Sequence, residues 1–223
     1  DLHTIRRRQR QMCIRDRSYV EEVVLSTLDE TTRSELDHLV ILPMPIEASK
    51  AQDNEIVGIL DESAFLRWTS GTEKMELHHL IRNVRRSTMT EQEKLKLHRE
   101  AVTHWESCAQ TPEDQIILLY HRICSDTQDL EAHCTTAYGS LPSEHSNALS
   151  VLLEQAIERS HEPSHLHYLA AKVALDRCES SHARHHLESI HEEGSFNEIE
   201  MNLAYLEGRI AVSYTHLTLP TTD

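Results

Sequence analysis

No apolar run in this 223-residue chain approaches the roughly 18 residues needed to cross a bilayer. The chain is therefore read as soluble. Cations are scarce as well: 22 Lys and Arg face 37 Asp and Glu, for a formal net charge of −15. A nucleic-acid scaffold needs clustered Lys and Arg against the phosphates, so nucleic acid is not an expected partner. The five cysteines have no paired spacing. With 17 histidines beside them, they point to a reducing cytoplasmic location and away from a disulfide framework. There is no G-x-x-x-x-G-K-[ST] loop and no hydrophobic strand ending in a magnesium-binding Asp. The chain is not expected to be an enzyme on its own, and it is assigned no catalytic residue, no metal and no cofactor of its own.

The two ends read unlike the middle. Met12-Cys13-Ile14-Arg15-Asp16-Arg17 can be encoded by ATG TGT ATA AGA GAC AG, and Val212-Ser213-Tyr214-Thr215-His216 by GTC TCT TAT ACA CAT. The second string is the reverse complement of the first without its last two bases. Both resemble the transposon mosaic end used to build sequencing libraries, so residues 1–17 and 212–223 are read as adapter-derived, non-native segments. The alternative is a basic arm and a polar tail. Without the six Arg and three Asp of those ends, the net charge of −15 becomes −18.

What is there begins at Ser18. Val20, Val23, Val24 and Leu28 recur at helical spacing. Asp29 or Thr31 can cap a second helix that buries Leu36, Leu39, Val40 and Leu42, and Pro43 and Pro45 stop it. A polar loop follows, then Asp53 or Asn54 caps a third helix to about Ser63. Phe65–Thr69 reads as a strand, Ser70–Lys74 as a glycine-containing turn, Met75–Leu77 as a second strand, and a helix starts near His78. Helix, helix, helix, strand, turn, strand is the order of a winged helix, assigned to residues 18–88. Its third helix carries Glu55, Asp61 and Glu62 and no cation, which argues against groove reading.

Residues 89–211 read as stacked helical hairpins. Thr90 with Glu93 forms a capping box for a long helix offering Leu95, Leu97, Ala101, Val102 and Trp105 for burial. Thr111 caps the next helix, with Pro112 at its first position. Further helices are expected at 127–138, 145–159, 164–177, 181–192 and 196–211. Leu169-Ala170 recurs as Leu203-Ala204, Ala174 as Gly208, and Ala148 with Leu152 as Ala183 with Leu187, near the ~34-residue period of tetratricopeptide units. The fold class is thus mainly α, a winged helix followed by a TPR-like α-solenoid. An irregular helical bundle is the alternative for the second part.

Leu36-Asp37-His38-Leu39-Val40-Ile41-Leu42, the hairpin ending Met75-Glu76-Leu77-His78-His79-Leu80-Ile81-Arg82, and Glu93-Lys94-Leu95-Lys96-Leu97-His98-Arg99-Glu100-Ala101 carry a resemblance. Together they resemble the winged-helix region of signal-transduction ATPases with numerous domains, the NB-ARC-type (STAND) NTPases, where it meets a tetratricopeptide array. In that family the second wing strand leads into a Met-His-Asp-Leu or Leu-His-Pro-Leu motif whose His faces the nucleotide. Leu77-His78-His79-Leu80 stands in that place, with His79 where the family has Asp.

The resemblance makes His78 the candidate cofactor-binding residue, a nucleotide-state sensor acting only within a longer parent. ATP or ADP is implied for that parent, an upstream NTPase domain is its partner, and a protein ligand is expected on the repeat surface. The reading of residues alone has His78 merely capping a helix. The resemblance also implies an ATPase core before Ser18 and further repeats after residue 211. Two other classes remain open: a free-standing helical-repeat adaptor and a winged-helix transcription regulator. Cys178, His182 and His186, and separately His161 with His165, are weaker candidates for a metal, because zinc-motif spacing is missing. Cys108, Cys124 and Cys134 are expected to be small buried apolar residues.

Overall fold

The computed structural model describes residues 25–125, 128–193 and 205–211, and the side chains of 191–193 are left aside. It is mainly helical and divides into two compact units, the first running to Cys108 and the second starting at Ala109. The expected junction at 88/89 lies earlier than this division. The long helix that starts after it stays with the first unit, because Ala101 and Trp105 are buried beside Leu39, Leu42 and Ile46.

In the first unit a 3-10 turn, Leu25–Thr27, precedes α1 (Glu30–Val40). The expected helix over Val20, Val23 and Val24 lies outside the described residues. Asp29 caps α1: its carboxylate accepts from the Thr32 amide at 2.8 Å and from the Thr31 hydroxyl at 2.6 Å, and these bonds hold its pKa below the ordinary carboxylate value. Leu36 and Val40 are fully buried one turn apart, with Leu39 beside them. α2 (Asn54–Glu62) is capped by Asp53, which accepts from the Glu55 and Ile56 amides. Val57 and Leu60 face the core.

Three strands form one antiparallel sheet: β1 (Ile46–Glu47), β2 (Leu66–Trp68) and β3 (Lys74–Leu77), in the order β1-β3-β2. Met75 sits opposite both Ile46 and Trp68, and Leu77 opposite Leu66. Alternation along β3 puts Met75 and Leu77 inward and leaves Lys74 and Glu76 half-exposed. Gly71 closes the hairpin turn at φ +77°, a conformation that strains any residue with a Cβ. The segment that holds β1 reads as polar loop in the sequence. A two-residue strand is too short to show alternation, and it exists because β3 offers it a partner.

α3 (His79–Thr88) and α4 (Glu91–Cys108) complete the unit. The Thr90–Glu93 capping box is present, with the Glu93 carboxylate accepting from the Thr90 amide at 2.7 Å and the Thr90 hydroxyl accepting from the Glu93 amide at 3.2 Å. Leu97 is buried, whereas Leu95 and Val102 are half-buried. Arg85 on α3 holds Asp37 on α1 through two parallel bonds, 2.6 and 2.7 Å, in a mostly buried setting. Paired forks of this kind are the stronger class of charged contact. Asp37→Ala is expected to cost about 2 kcal/mol in urea denaturation, the worth of hydrogen bonds to a charged group left without this acceptor.

The second unit is helical throughout its described residues: α5 (Pro112–Cys124), α6 (Leu130–Ser140), α7 (Ser146–Arg159), α8 (Ser164–Asp176), α9 (Ser180–Glu193) and α10 (residues 205–211). Thr111 caps α5 in a reciprocal box with Asp114, and Pro112 takes the first position. α6 starts later than expected, at Leu130, after Asp129 in the left-handed region at φ +65°. Of the expected 196–211 helix, only 205–211 is described. α5 packs on α6 and α7, α6 on α7 and α8, α7 on α8, and α8 on α9.

Between α8, α9 and α10 lies a core of Ala171, Ala174, Leu175, Ala183, Leu187, Ile190, Leu206 and Ile210. Ala171 and Ala183 are fully buried, and small side chains there let the helix surfaces come close. Burial at the positions matched in the expected repeat is uneven. Leu152 and Leu187 are both buried, but Ala148 is half-buried where Ala183 is fully buried, and Gly208 is exposed where Ala174 is buried. Leu203 and Ala204 lie outside the described residues. Of the three cysteines expected inside, only Cys134 is buried, and burial pushes its thiol up to about 12, with Glu131 adding to it. Cys108 and Cys124 are half-buried, each at the last position of its helix.

Candidate functional site

His78 stands between β3 and α3. Its amide donates to the Phe65 carbonyl at 2.7 Å, tying it to the neighbouring strand, and its ring Nδ1 accepts from the Leu80 amide at 3.4 Å as the N-cap of α3. The ring lies against that of His79, with centroids 4.5 Å apart, and both residues are exposed. A neutral imidazole whose Nδ1 accepts carries its proton on Nε2, a tautomer assigned here from the hydrogen-bond pattern. His78 thus combines a capping role with an exposed N–H donor. Both sequence-level readings of this residue, cap and donor to an anion, are compatible with this geometry.

The same unit exposes three large apolar side chains, Ile59, Trp68 and Leu80, and the Trp68 indole donates to Asp61 at 2.8 Å. α2 presents Glu55, Asp61 and Glu62 to solvent and has no cation. Four of the cations that follow the hairpin lie against acids: Arg85 on Asp37, Lys94 on Glu91 and Lys96 on Glu100, with Arg82 3.9 Å from Glu76. A surface of this kind does not concentrate positive potential for a nucleic-acid backbone.

The second unit contains a cleft of about 360 Å³ between α7, α8 and α9, lined by Ser150 and Glu154 of α7, Arg177 and Glu179 at the α8–α9 turn, and His182 and His186 of α9 among others. Among its polar lining residues His186 is buried, at 5% exposure. Its Nε2 lies 3.2 Å from the Glu154 carboxylate and its Nδ1 3.1 Å from Nδ1 of His167 on α8. Burial pulls the His186 pKa down to about 4, assisted by the repulsion of His167, His185 and His182 when they are charged. Glu154 favours the charged form, but it is half-exposed and water screens it, so desolvation prevails.

At the turn, Glu179 receives Arg177 at 2.7 Å on one oxygen and lies 3.2 Å from Nδ1 of His182 on the other. Cys178 sits in that turn at φ +61°, exposed, so it is not on the α9 face with His182 and His186. These two histidines contact different acids. His161 precedes α8, while His165 lies on it and reaches the Thr135 hydroxyl at 3.1 Å, so this pair shares no helix. Among the described residues no three His, Cys, Asp or Glu side chains are arranged to hold a metal ion. The sequence pattern offered His186 as a ligand but not its contacts with Glu154 and His167, which come from separate helices and have no spacing signature.

No family model, curated protein or solved structure matches the chain. Among the described residues, no helix is long and apolar enough to cross a membrane.

Proposed function

We propose that the chain is the regulatory and protein-interaction part of a signal-transduction ATPase switch of the STAND, NB-ARC-type class, with residues 18–88 as its winged helix and 89–211 as a TPR-like solenoid. Three features support the reading. The described part of the first unit runs helix, helix, hairpin, the order expected of the last two helices and the wing, with β1 as a third strand beside it. Next-but-one packing among α5, α6, α7 and α8 is what stacked helical hairpins require. The observation that carries the proposal is His78: an exposed imidazole at the end of the second hairpin strand, its Nδ1 used by its own helix and its Nε2–H left as a donor.

In this reading the nucleotide belongs to an ATPase core outside this chain, and the chain itself hydrolyses nothing. A donor from His78 to a phosphate oxygen holds the closed, ADP-loaded arrangement, and a protein ligand on the helical repeats shifts the equilibrium toward release. The first test is to read the source locus in DNA prepared without the adapter. An open frame continuing upstream into a strand, a glycine-rich GK[ST] loop and a helix supports the proposal; a frame that starts near residue 18 overturns it and favours a small helical adaptor. In the longer protein His78→Ala is expected to speed ADP release roughly tenfold or more, the worth of one charge-assisted bond. In the present chain the same change is expected to cost under about 1 kcal/mol, since only a long cap bond is lost.

A further inference from the structure

The contact between His167 and His186 is unusual because it joins the same nitrogen of two imidazoles, Nδ1 to Nδ1, at 3.1 Å, with the rings 5.4 Å apart. Two neutral rings satisfy it when one donates and the other accepts. One proton more is also accommodated, since a cationic ring then donates to its neutral neighbour. Two added protons are not, because both nitrogens then carry hydrogen and point at each other with no lone pair between them. The pair is also a polar tie between α8 and α9, and Glu154 on the far nitrogen of His186 extends it to α7.

From α7 the facing acid is Glu154, which is half-exposed. From the α8–α9 turn Arg177 and Glu179 line the same cleft and are bound to each other. α9 itself contributes His182 and His185, which add positive charge on acidification. α10 packs through Leu206 and Ile210; its charged residues are Glu207 and Arg209, and Arg209 lies 3.5 Å from Asp176. The depressed pKa of His186 agrees with a second proton being resisted while the helices stay packed.

We infer that His167 and His186 form an acid-operated latch, which keeps α9 on α7 and α8 while the pair holds at most one added proton and releases α9 when it holds two. Release uncovers the apolar face of Ala183, Leu187 and Ile190 and opens the cleft. The inference concerns the second unit alone and does not depend on the ATPase reading.

Hydrogen exchange of the full 223-residue chain, corrected for the intrinsic pH dependence of exchange, tests it. Protection of α9 is expected to fall at least tenfold between about pH 6 and pH 4.5, while α1 and α4 keep theirs. His167→Gln keeps a polar partner that cannot charge and is expected to lose clearly less α9 protection than the parent through that range, since only the burial of His186 then opposes its proton; Glu154→Gln is expected to move the loss to higher pH. Unchanged α9 protection in the parent chain, or the same loss in His167→Gln as in the parent, overturns the latch. Imidazole nitrogen NMR of the unmutated chain gives a second reading independent of variant folding. Two coupled titration steps, the second displaced to acid pH, support it, and two independent titrations near 6.5 overturn it.

Discussion

Acidification is expected to destabilise the second unit by up to about 3 kcal/mol between pH 6.5 and pH 4, with His186 as the dominant group. The sign follows from the direction of its shift. The folded pKa is about 4 and the ordinary value 6.5, so between the two the unfolded chain binds a proton that the folded chain refuses. Stability is therefore fully present above pH 6.5, falls as the pH drops through that window, and levels off below about 4 as far as this group is concerned. The cause is first the removal of His186 from water, then repulsion from His167, His185 and His182. Urea denaturation at half-unit pH steps, followed by amide exchange in α7–α9, measures it. His186→Leu is expected to flatten the dependence, and a profile unchanged by that substitution would assign the acid response elsewhere.

The first unit has an opposing group. Glu35 is buried on α1 and accepts from the Gln52 amide at 3.1 Å, yet burial outweighs that bond and holds its carboxyl above the ordinary value. A carboxyl of this kind is protonated more readily folded than unfolded, so it adds stability as pH falls. Its contribution is opposite in sign to that of His186, while Asp29 and Glu93, whose carboxyls are held below their ordinary values by hydrogen bonds, act in the same sense as His186 at lower pH.

Trp105→Ala is expected to cost the first unit about 3–5 kcal/mol, the usual price of removing a buried indole and leaving its cavity. Trp105 is 2% exposed and lines, with Leu39, Leu42, Ile46 and Ala101, the contact between α1, α4 and the β1 segment. Against a total stability of about 5–15 kcal/mol for an ordinary domain, that loss removes a large share and leaves the unit marginal at the low end of the range. The readout is direct because the chain has only two tryptophans, and Trp68 is 42% exposed. Emission of the variant should shift to that of a solvated indole, and protection in α1 and α4 should fall while α7 and α8 keep theirs. Retained cooperative unfolding at the parent's midpoint would mean that α4 does not supply the core of this unit.

Local signals account for much of what the chain displays. Asp29, Asp53, Thr90 and Thr111 each announce a helix start, and each side chain makes the cap bond its position implies, because the bond needs only a neighbour three residues away. Leu36, Leu39 and Val40 announce a buried stripe by spacing alone. Gly71 marks its turn, and the acidic composition of α2 is plain from the chain itself. The position of His78 at a strand-to-helix junction and its cap bond to Leu80 are equally local and legible in the chain, whereas a role toward a nucleotide rests on the resemblance alone.

Tertiary structure decided the rest. β1 has no strand signal of its own and exists through pairing with β3, so only the folded sheet reveals it. The division after Cys108 depends on where Trp105 is buried, a long-range packing outcome. Gly208 and Ala174 are 34 residues apart and matched by sequence spacing, yet one is exposed and the other buried, because burial depends on which neighbour lies opposite. The histidines followed the same division. Spacing grouped Cys178, His182 and His186 on an ideal helix, but the left-handed turn at Cys178 broke that face. The packing of α9 on α7 and α8 gave His186 its actual partners, Glu154 and His167, 32 and 19 residues away along the chain. Caps and periodicities are short-range and can be read from the sequence; partners across helices are set by how whole faces pack, and they appear only when the chain is folded.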